Sequence, residues 1–246
     1  MADRKEINDP ALSTVAPGAP VTSQRPVTEY NLGIPYPQIP RALVAPDAEN
    51  PSGTPGYNNR GLSVLQQHVA FFDRNNDGII YPWETFQGFR AIGFNLLRSF
   101  FGMVFINGAL SYCTQDSWLP SPLFSLLVKN IHKAKHGSDS EVYDTEGRFV
   151  PEKFEEIFTK FAKTEPLRLS SEEVSALVQA NRNAYDPFGS TAANLEWSLA
   201  YSLLKDKDGF LTKEAIRGVY DGKKMELISL GGDGKKNVVF FFKRQE

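Results

Sequence analysis

The chain has 246 residues, 41% of them hydrophobic, and a formal charge of −2, which is enough material for a real core in one large domain or two small ones. Nothing in that balance offers the basic face that neutralises phosphates, so nucleic acid is set aside as a partner. Cys113, the single cysteine, excludes an internal disulfide or a cysteine-rich metal site and fits a reducing, cytosol-facing location.

The opening MADRKEINDPALSTV is charged and has no apolar core, so no secretory signal and no secretion are expected. Residues 1–57 carry ten of the sixteen prolines and no sustained period, which predicts a disordered or extended arm. In GLSVLQQHVAFF, Leu62, Leu65, Val69 and Phe72 recur at helical spacing and predict an amphipathic helix over 61–72. A second stripe, from Phe86, Phe89, Ile92, Gly93, Leu96, Phe100 and Met103, predicts an exit helix running on into the apolar stretch 91–113. That stretch approaches the roughly 20 apolar residues of a membrane span, but Asn95, Arg98 and Asn107 interrupt it, so embedding is expected rather than crossing.

Pro120 and Pro122 predict a turn. A helix is expected over 123–136, with Phe124, Leu127, Val128 and Ile131 on one side, then a loop, then helices at 151–163 and 171–184. Ser170 and Glu173 have capping-box spacing at the start of the last of these. Further helices are expected near 191–204 and 213–220, and the tail NVVFFFK reads either as a short strand or as an apolar anchor.

Between the first two helices lies DRNNDGIIYPWE, residues 73–84. Calcium takes about six to eight oxygens, and the EF-hand loop supplies them from positions 1, 3, 5, 7, 9 and 12, with glycine at 6 for the sharp turn. Asp73, Asn75 and Asp77 stand at 1, 3 and 5, Gly78 at 6, the Ile79 carbonyl at 7, Tyr81 at 9 acting through water, and Glu84 at 12. Ile80, at 8, is the apolar residue that pairs with a partner loop. Two degenerate echoes follow. VYDTEGRFVPEK has Asp144 and Glu146 at 3 and 5, and LKDKDGFLTKEA has Asp206 and Asp208; both lack the acids at 1 and 12 and read as structural turns, with Phe149 and Leu211 as candidate partners for Ile80.

Three histidines remain. His68 lies on the apolar face of the first helix; His132 and His136 are four apart and share a face. No glutamate lies between them in the order a zinc hydrolase needs. By spacing alone each reads as a packed or surface residue, although an iron porphyrin asks a protein for only one or two axial imidazoles.

LQQHVAFFDRNNDGIIYPWETFQGFRAIGFNLL, LPSPLF, NIHKAKHGSDSEVYDTEGRF and YDPFGSTAANLEWSL resemble the caleosin family, calcium-binding proteins of lipid droplets and endomembranes also known as peroxygenases, over residues 58–222. The resemblance implies a calcium-dependent haem b enzyme that uses lipid hydroperoxides to epoxidise or hydroxylate unsaturated fatty acids. It places the axial histidines, which are also the catalytic residues, on His68 and His136, with His132 as the fallback. Two axial ligands leave no open position for a peroxide, so either one dissociates or one histidine is distal. Residues 91–113 with Pro120 and Pro122 resemble the family's membrane-inserting segment and proline knot.

The expected fold is mainly α: a disordered Pro-rich arm (1–57), an EF-hand (58–92), a hydrophobic membrane-associating segment with a proline turn (93–125), a C-terminal helical region with the degenerate loops (126–222) and a tail (223–246). The expected location is a lipid droplet or the endoplasmic reticulum membrane, facing the cytosol, with self-association allowed. The competing functions are a non-enzymatic calcium-binding coat or tether of lipid droplets, and a soluble calcium sensor that binds partner helices.

Overall fold

A computed structural model describes residues 11, 13–28 and 32–231; NVVFFFK lies outside them, as does the tail after residue 231. After a short α1 (Val21–Gln24), the chain enters α2 (Val64–Ala70) and α3 (Pro82–Ala91). Ser63 and Gln66 form a capping box that starts α2 three residues later than its apolar stripe suggests, and proline at the first position starts α3. The loop between them contributes β1 (Ile79–Ile80).

The exit helix does not run unbroken into the apolar stretch. Gly93 takes a left-handed φ of 102°, and the Asn95 side chain caps a new helix by accepting the Arg98 amide at 2.8 Å. That helix, α4 (Leu96–Thr114), packs back on α3, with Gly102 so close to Phe89 that a β-carbon there would sit 2.7 Å from the ring. Nor is 123–136 one helix. It forms β2 (Leu126–Leu127), antiparallel to β1 with Ile80 opposite Leu126, followed by a 3₁₀ helix, Val128–Ala134. Ile80 therefore pairs with Leu126, and neither Phe149 nor Leu211 is its partner. Apolar residues in a row can be read as a helical stripe or as a buried strand, and here a free edge at β1 decides between them.

The second half is two helix–loop–helix units. α5 (Pro151–Phe161) and α6 (Ser171–Ala180) flank β3 (Arg168–Leu169); α7 (Pro187–Leu204) and α8 (Lys213–Tyr220) flank β4 (Leu211–Thr212). β3 and β4 pair antiparallel, Leu169 opposite Leu211, and tie the units together. The apolar face of α5 (Phe154, Ile157, Phe158 and Phe161) meets Phe149, Leu169, Val174, Leu177, Leu211 and Ile216 in the main core. A short α9 (Lys223–Ser229) packs Met225 and Ile228 against Phe71, Phe89 and Phe94.

The expectation of a disordered arm fails for residues 32–57. Their backbone is irregular, but Leu32, Ile34, Ala45 and Asp47 are buried, and Arg41 and Phe149 exchange backbone hydrogen bonds. Proline-rich chain needs no ladder of its own when side chains and neighbouring carbonyls satisfy its polar groups.

Phe154 is fully buried. Phe154→Ala is expected to lower the unfolding free energy by about 3–5 kcal/mol, measured by urea titration, whereas Tyr185→Ala, at 98% exposure, should stay within about 0.5 kcal/mol.

Candidate functional site

Loop 73–84 is organised by its two end carboxylates. Asp73, buried, accepts the amides of Asp77 (3.1 Å) and Gly78 (2.9 Å). Glu84, also buried, accepts the amide of Arg74 through one oxygen (3.1 Å) and that of Tyr81 through the other (3.0 Å). Gly78 holds φ +83°, a conformation that glycine adopts without strain. Asn75 donates to Asp77 at 2.8 Å. Among the described residues no three His, Cys, Asp or Glu side chains converge into a ready metal cluster; the loop's acids are turned to backbone amides. The donor set of carboxylates, an amide oxygen and the Ile79 carbonyl is nevertheless all oxygen, the chemistry calcium takes.

The acid pairs of the two echoes are each occupied by an arginine. The Arg148 guanidinium meets Asp144 at 2.5 Å and Glu146 at 2.6 Å. Arg168 meets Asp206 at 3.0 Å, Asp208 at 3.5 Å and also Glu165. An internal cation thus neutralises the carboxylates that a metal would otherwise bridge. The structure also reveals a third loop of this kind that the sequence reading missed, residues 162–173. Glu173 accepts the amides of Lys163 and Thr164, both at 2.7 Å, and of Ser170 at 2.8 Å, closing that loop much as Glu84 closes 73–84. Its one signal in the sequence was a glutamate twelfth in a segment lacking every other acid of the pattern.

His68 and His136 occupy different settings. The half-buried His68 places Nδ1 2.7 Å from the Val219 carbonyl at the end of α8. A carbonyl only accepts, so Nδ1 carries the proton and Nε2 of the neutral ring keeps its lone pair, the arrangement of a ligating histidine. The fit is close: Gly222, just beyond α8 at φ +78°, lies so near α2 that a β-carbon would stand 2.4 Å from the Gln67 carbonyl.

His136 sits at the foot of α7. Its Nδ1 accepts the Ser138 amide at 3.3 Å, and its Nε2 lies 3.9 Å from Glu196. Glu196 pushes the imidazole pKa up, against the opposing effect of burial, with Asp139 and Asp186 adding to the rise. The raised pKa makes the ring easier to protonate, which competes with ligating a metal. His132, half-buried, lies in the 3₁₀ helix, where its carbonyl accepts the Lys135 amide. A half-buried tyrosine pair lies in the same half of the chain: the Tyr143 hydroxyl donates to the Tyr220 carbonyl at 2.5 Å, and the Tyr220 hydroxyl bonds Ser140 at 2.6 Å. Burial raises both phenol pKa values. Glu196 lies 60 residues from His136, and no local motif announces the pair.

α4 is inside out. Ser99, Asn107, Ser111 and Thr114 are its buried residues, while Leu96, Leu97, Phe100, Phe101 and Val104 are exposed. Asn107 donates to the Phe124 carbonyl at 2.9 Å and the Ile80 carbonyl at 3.4 Å, and Ser111 donates to the Ser125 carbonyl at 2.9 Å. Among the described residues it is the one helix long and apolar enough to cross a bilayer.

A family model described as caleosin related protein matches residues 60–228. The peroxygenase of Lilium longiflorum is 51% identical over 233 residues, spanning 94% of this chain and 97% of that protein. Probable peroxygenase 4 of Arabidopsis thaliana is 54% identical over 164 residues (67% of this chain, 84% of that one), and a probable inactive peroxygenase-like protein of the same plant is 40% identical over 136 (55% and 65%). No solved structure matches.

A histidine whose pKa is raised by folding stabilises the folded chain fully below its ordinary value of 6.5, and that contribution fades as pH rises through the higher folded value. Glu196→Gln is therefore expected to lower the His136 midpoint in an NMR titration and to cost stability in full below pH 6.5, the cost shrinking as pH rises through the folded midpoint and the two proteins converging at alkaline pH.

Proposed function

Since the chain belongs to the caleosin family, we propose that it is a peroxygenase that binds haem at His68 and calcium at loop 73–84 and transfers oxygen from lipid hydroperoxides to unsaturated fatty acids at a membrane surface. The observation that carries the haem assignment is the 2.7 Å bond from His68 Nδ1 to Val219, which leaves Nε2 for a metal. Haem bound there supplies the redox chemistry by which a hydroperoxide gives up one oxygen atom to an alkene or C–H bond and becomes an alcohol.

The protein's own residues do the rest. His68 would hold the group through Nε2. His136, which the family resemblance makes a second ligand, is assigned instead to proton transfer: with Glu196 beside it, its imidazole would relay the hydroperoxide's own proton to the oxygen departing as alcohol. That division of labour removes the difficulty of two axial ligands. Asp73, Asn75, Asp77, the Ile79 carbonyl and Glu84 would wrap the calcium ion, and α2 carries His68 five residues before Asp73, so an ion in the loop fixes the helix that presents the ligand.

α4 supports the membrane reading. Its exposed apolar face has no water-facing purpose, and its polar face is bonded into the body, so it lies in the plane of a lipid surface instead of crossing it. A droplet monolayer or the endoplasmic reticulum membrane offers such a surface. The same face also serves the competing reading, a non-enzymatic tether, which needs lipid and calcium but no haem.

His68→Ala is expected to lose both the Soret band and hydroperoxide-dependent oleate epoxidation, while His136→Ala keeps the band and loses turnover. A haem-loaded His68→Ala protein with an unchanged spectrum contradicts the assignment, and wild type without a band but with lipid binding favours the tether. Calcium titration should reach one ion per chain with no heat left in Glu84→Gln. In liposome flotation, Leu97→Glu with Phe101→Glu should move the protein from the floating to the soluble fraction; equal flotation counts against the α4 face.

A further inference from the structure

One segment grips both elements that meet at His68. The Ala42 carbonyl accepts the Val64 amide at 3.0 Å, and the Leu43 carbonyl accepts the Gln67 side chain at 2.9 Å, which fastens residues 42–54 to α2. The same segment is fastened to α8. Asp47 accepts Arg217 Nη1 at 2.6 Å, Glu49 accepts Lys213 at 2.6 Å, and the Thr54 hydroxyl donates to Asp221. The Ala48 amide adds a bond of 2.9 Å to Glu155, which in turn holds Lys213 at 2.7 Å.

The Asp47–Arg217 pair is almost wholly removed from water, with side chains 2% and 4% exposed, and Arg217 Nε is buried with no partner. Desolvating two charges offsets most of their attraction, so a buried pair with an orphan donor adds little stability over an apolar pair of the same shape. What it does supply is a fixed distance and direction. Arg217 stands two residues before Val219, whose carbonyl orients His68.

We infer that Asp47 is a positioning residue for His68: by holding Arg217 it keeps the end of α8 against α2, so that the Val219 carbonyl retains the proton on Nδ1 and leaves Nε2 free to ligate. The inference rests on the reading of His68 as the haem ligand. Segment 42–54 is then a strap across the α2–α8 joint, and an N-terminal stretch with no motif of its own contributes to the site.

The test is the full chain carrying Asp47→Leu and Arg217→Met, which removes the tether without leaving a buried charge unpaired. Circular dichroism and urea unfolding report that it folds. In haem-free protein, the ring ¹⁵N shifts of His68, assigned by their loss in His68→Gln, should pass from a single Nδ1–H tautomer to a mixture. Haem titration of the same variant should weaken by about tenfold. An unchanged tautomer together with unchanged haem affinity overturns the inference. Should the double variant fail to fold, Thr54→Val cuts the strap's bond to Asp221 without touching a charge pair and is read by the same two outcomes. Haem binding by His68→Gln at wild-type strength would refute the ligand reading separately, because the tautomer measurement needs no haem.

Discussion

A ring nitrogen of His68 and the carbonyl of Val219, 151 residues apart in the chain, meet at 2.7 Å, and that contact joins α2 to the end of α8. α2 brings the histidine as the incoming helix of loop 73–84; α8 brings the carbonyl as the outgoing helix of the last helix–loop–helix unit. Gly222 lets the two backbones close to a distance at which any β-carbon would strike Gln67. The hydrogen bond is modest by itself, about 1 kcal/mol in net stability. Its consequence is chemical, because it decides which nitrogen of the ring is available.

Around that joint the chain uses one device repeatedly: a glutamate at the end of a loop folding back onto amides at its start. Glu84 and Glu173 both do this, yet only loop 73–84 keeps the full oxygen donor set. In the degenerate loops the acids are met by Arg148 and Arg168, so that the loop shape survives with a covalently attached cation. β1, inside loop 73–84, is also contacted by Asn107 of α4, which places the calcium candidate and the helix with the exposed apolar face in direct contact. That bond, from a buried polar side chain to a strand carbonyl, ties α4 to the loop.

Much of this was legible in the sequence. Loop 73–84, the α5 stripe, the Ser170–Glu173 cap and the extent of α8 follow from local rules of spacing and capping. What was not legible depends on distant partners. The 123–136 segment is a strand and a 3₁₀ helix because β1 offers an unpaired edge 47 residues earlier. The break before α4 was signalled by Gly93 and Asn95, but a continuous apolar period masked it. Residues 32–57 read as disordered because proline suppresses periodicity, and the buried carboxylate of Asp47 that anchors them finds its arginine 170 residues away. Glu196 escaped for the same reason: a carboxylate on an exposed helical face shows no purpose until the imidazole it faces is known.

The central claim is the division of roles between His68 and His136, and a crystal structure of the full chain loaded with haem and calcium tests it most directly. The account predicts iron ligated by Nε2 of His68, Nδ1 still bonded to Val219, and His136 beside Glu196 without a bond to the metal. Iron held by His136 or His132, with His68 unligated, would contradict it.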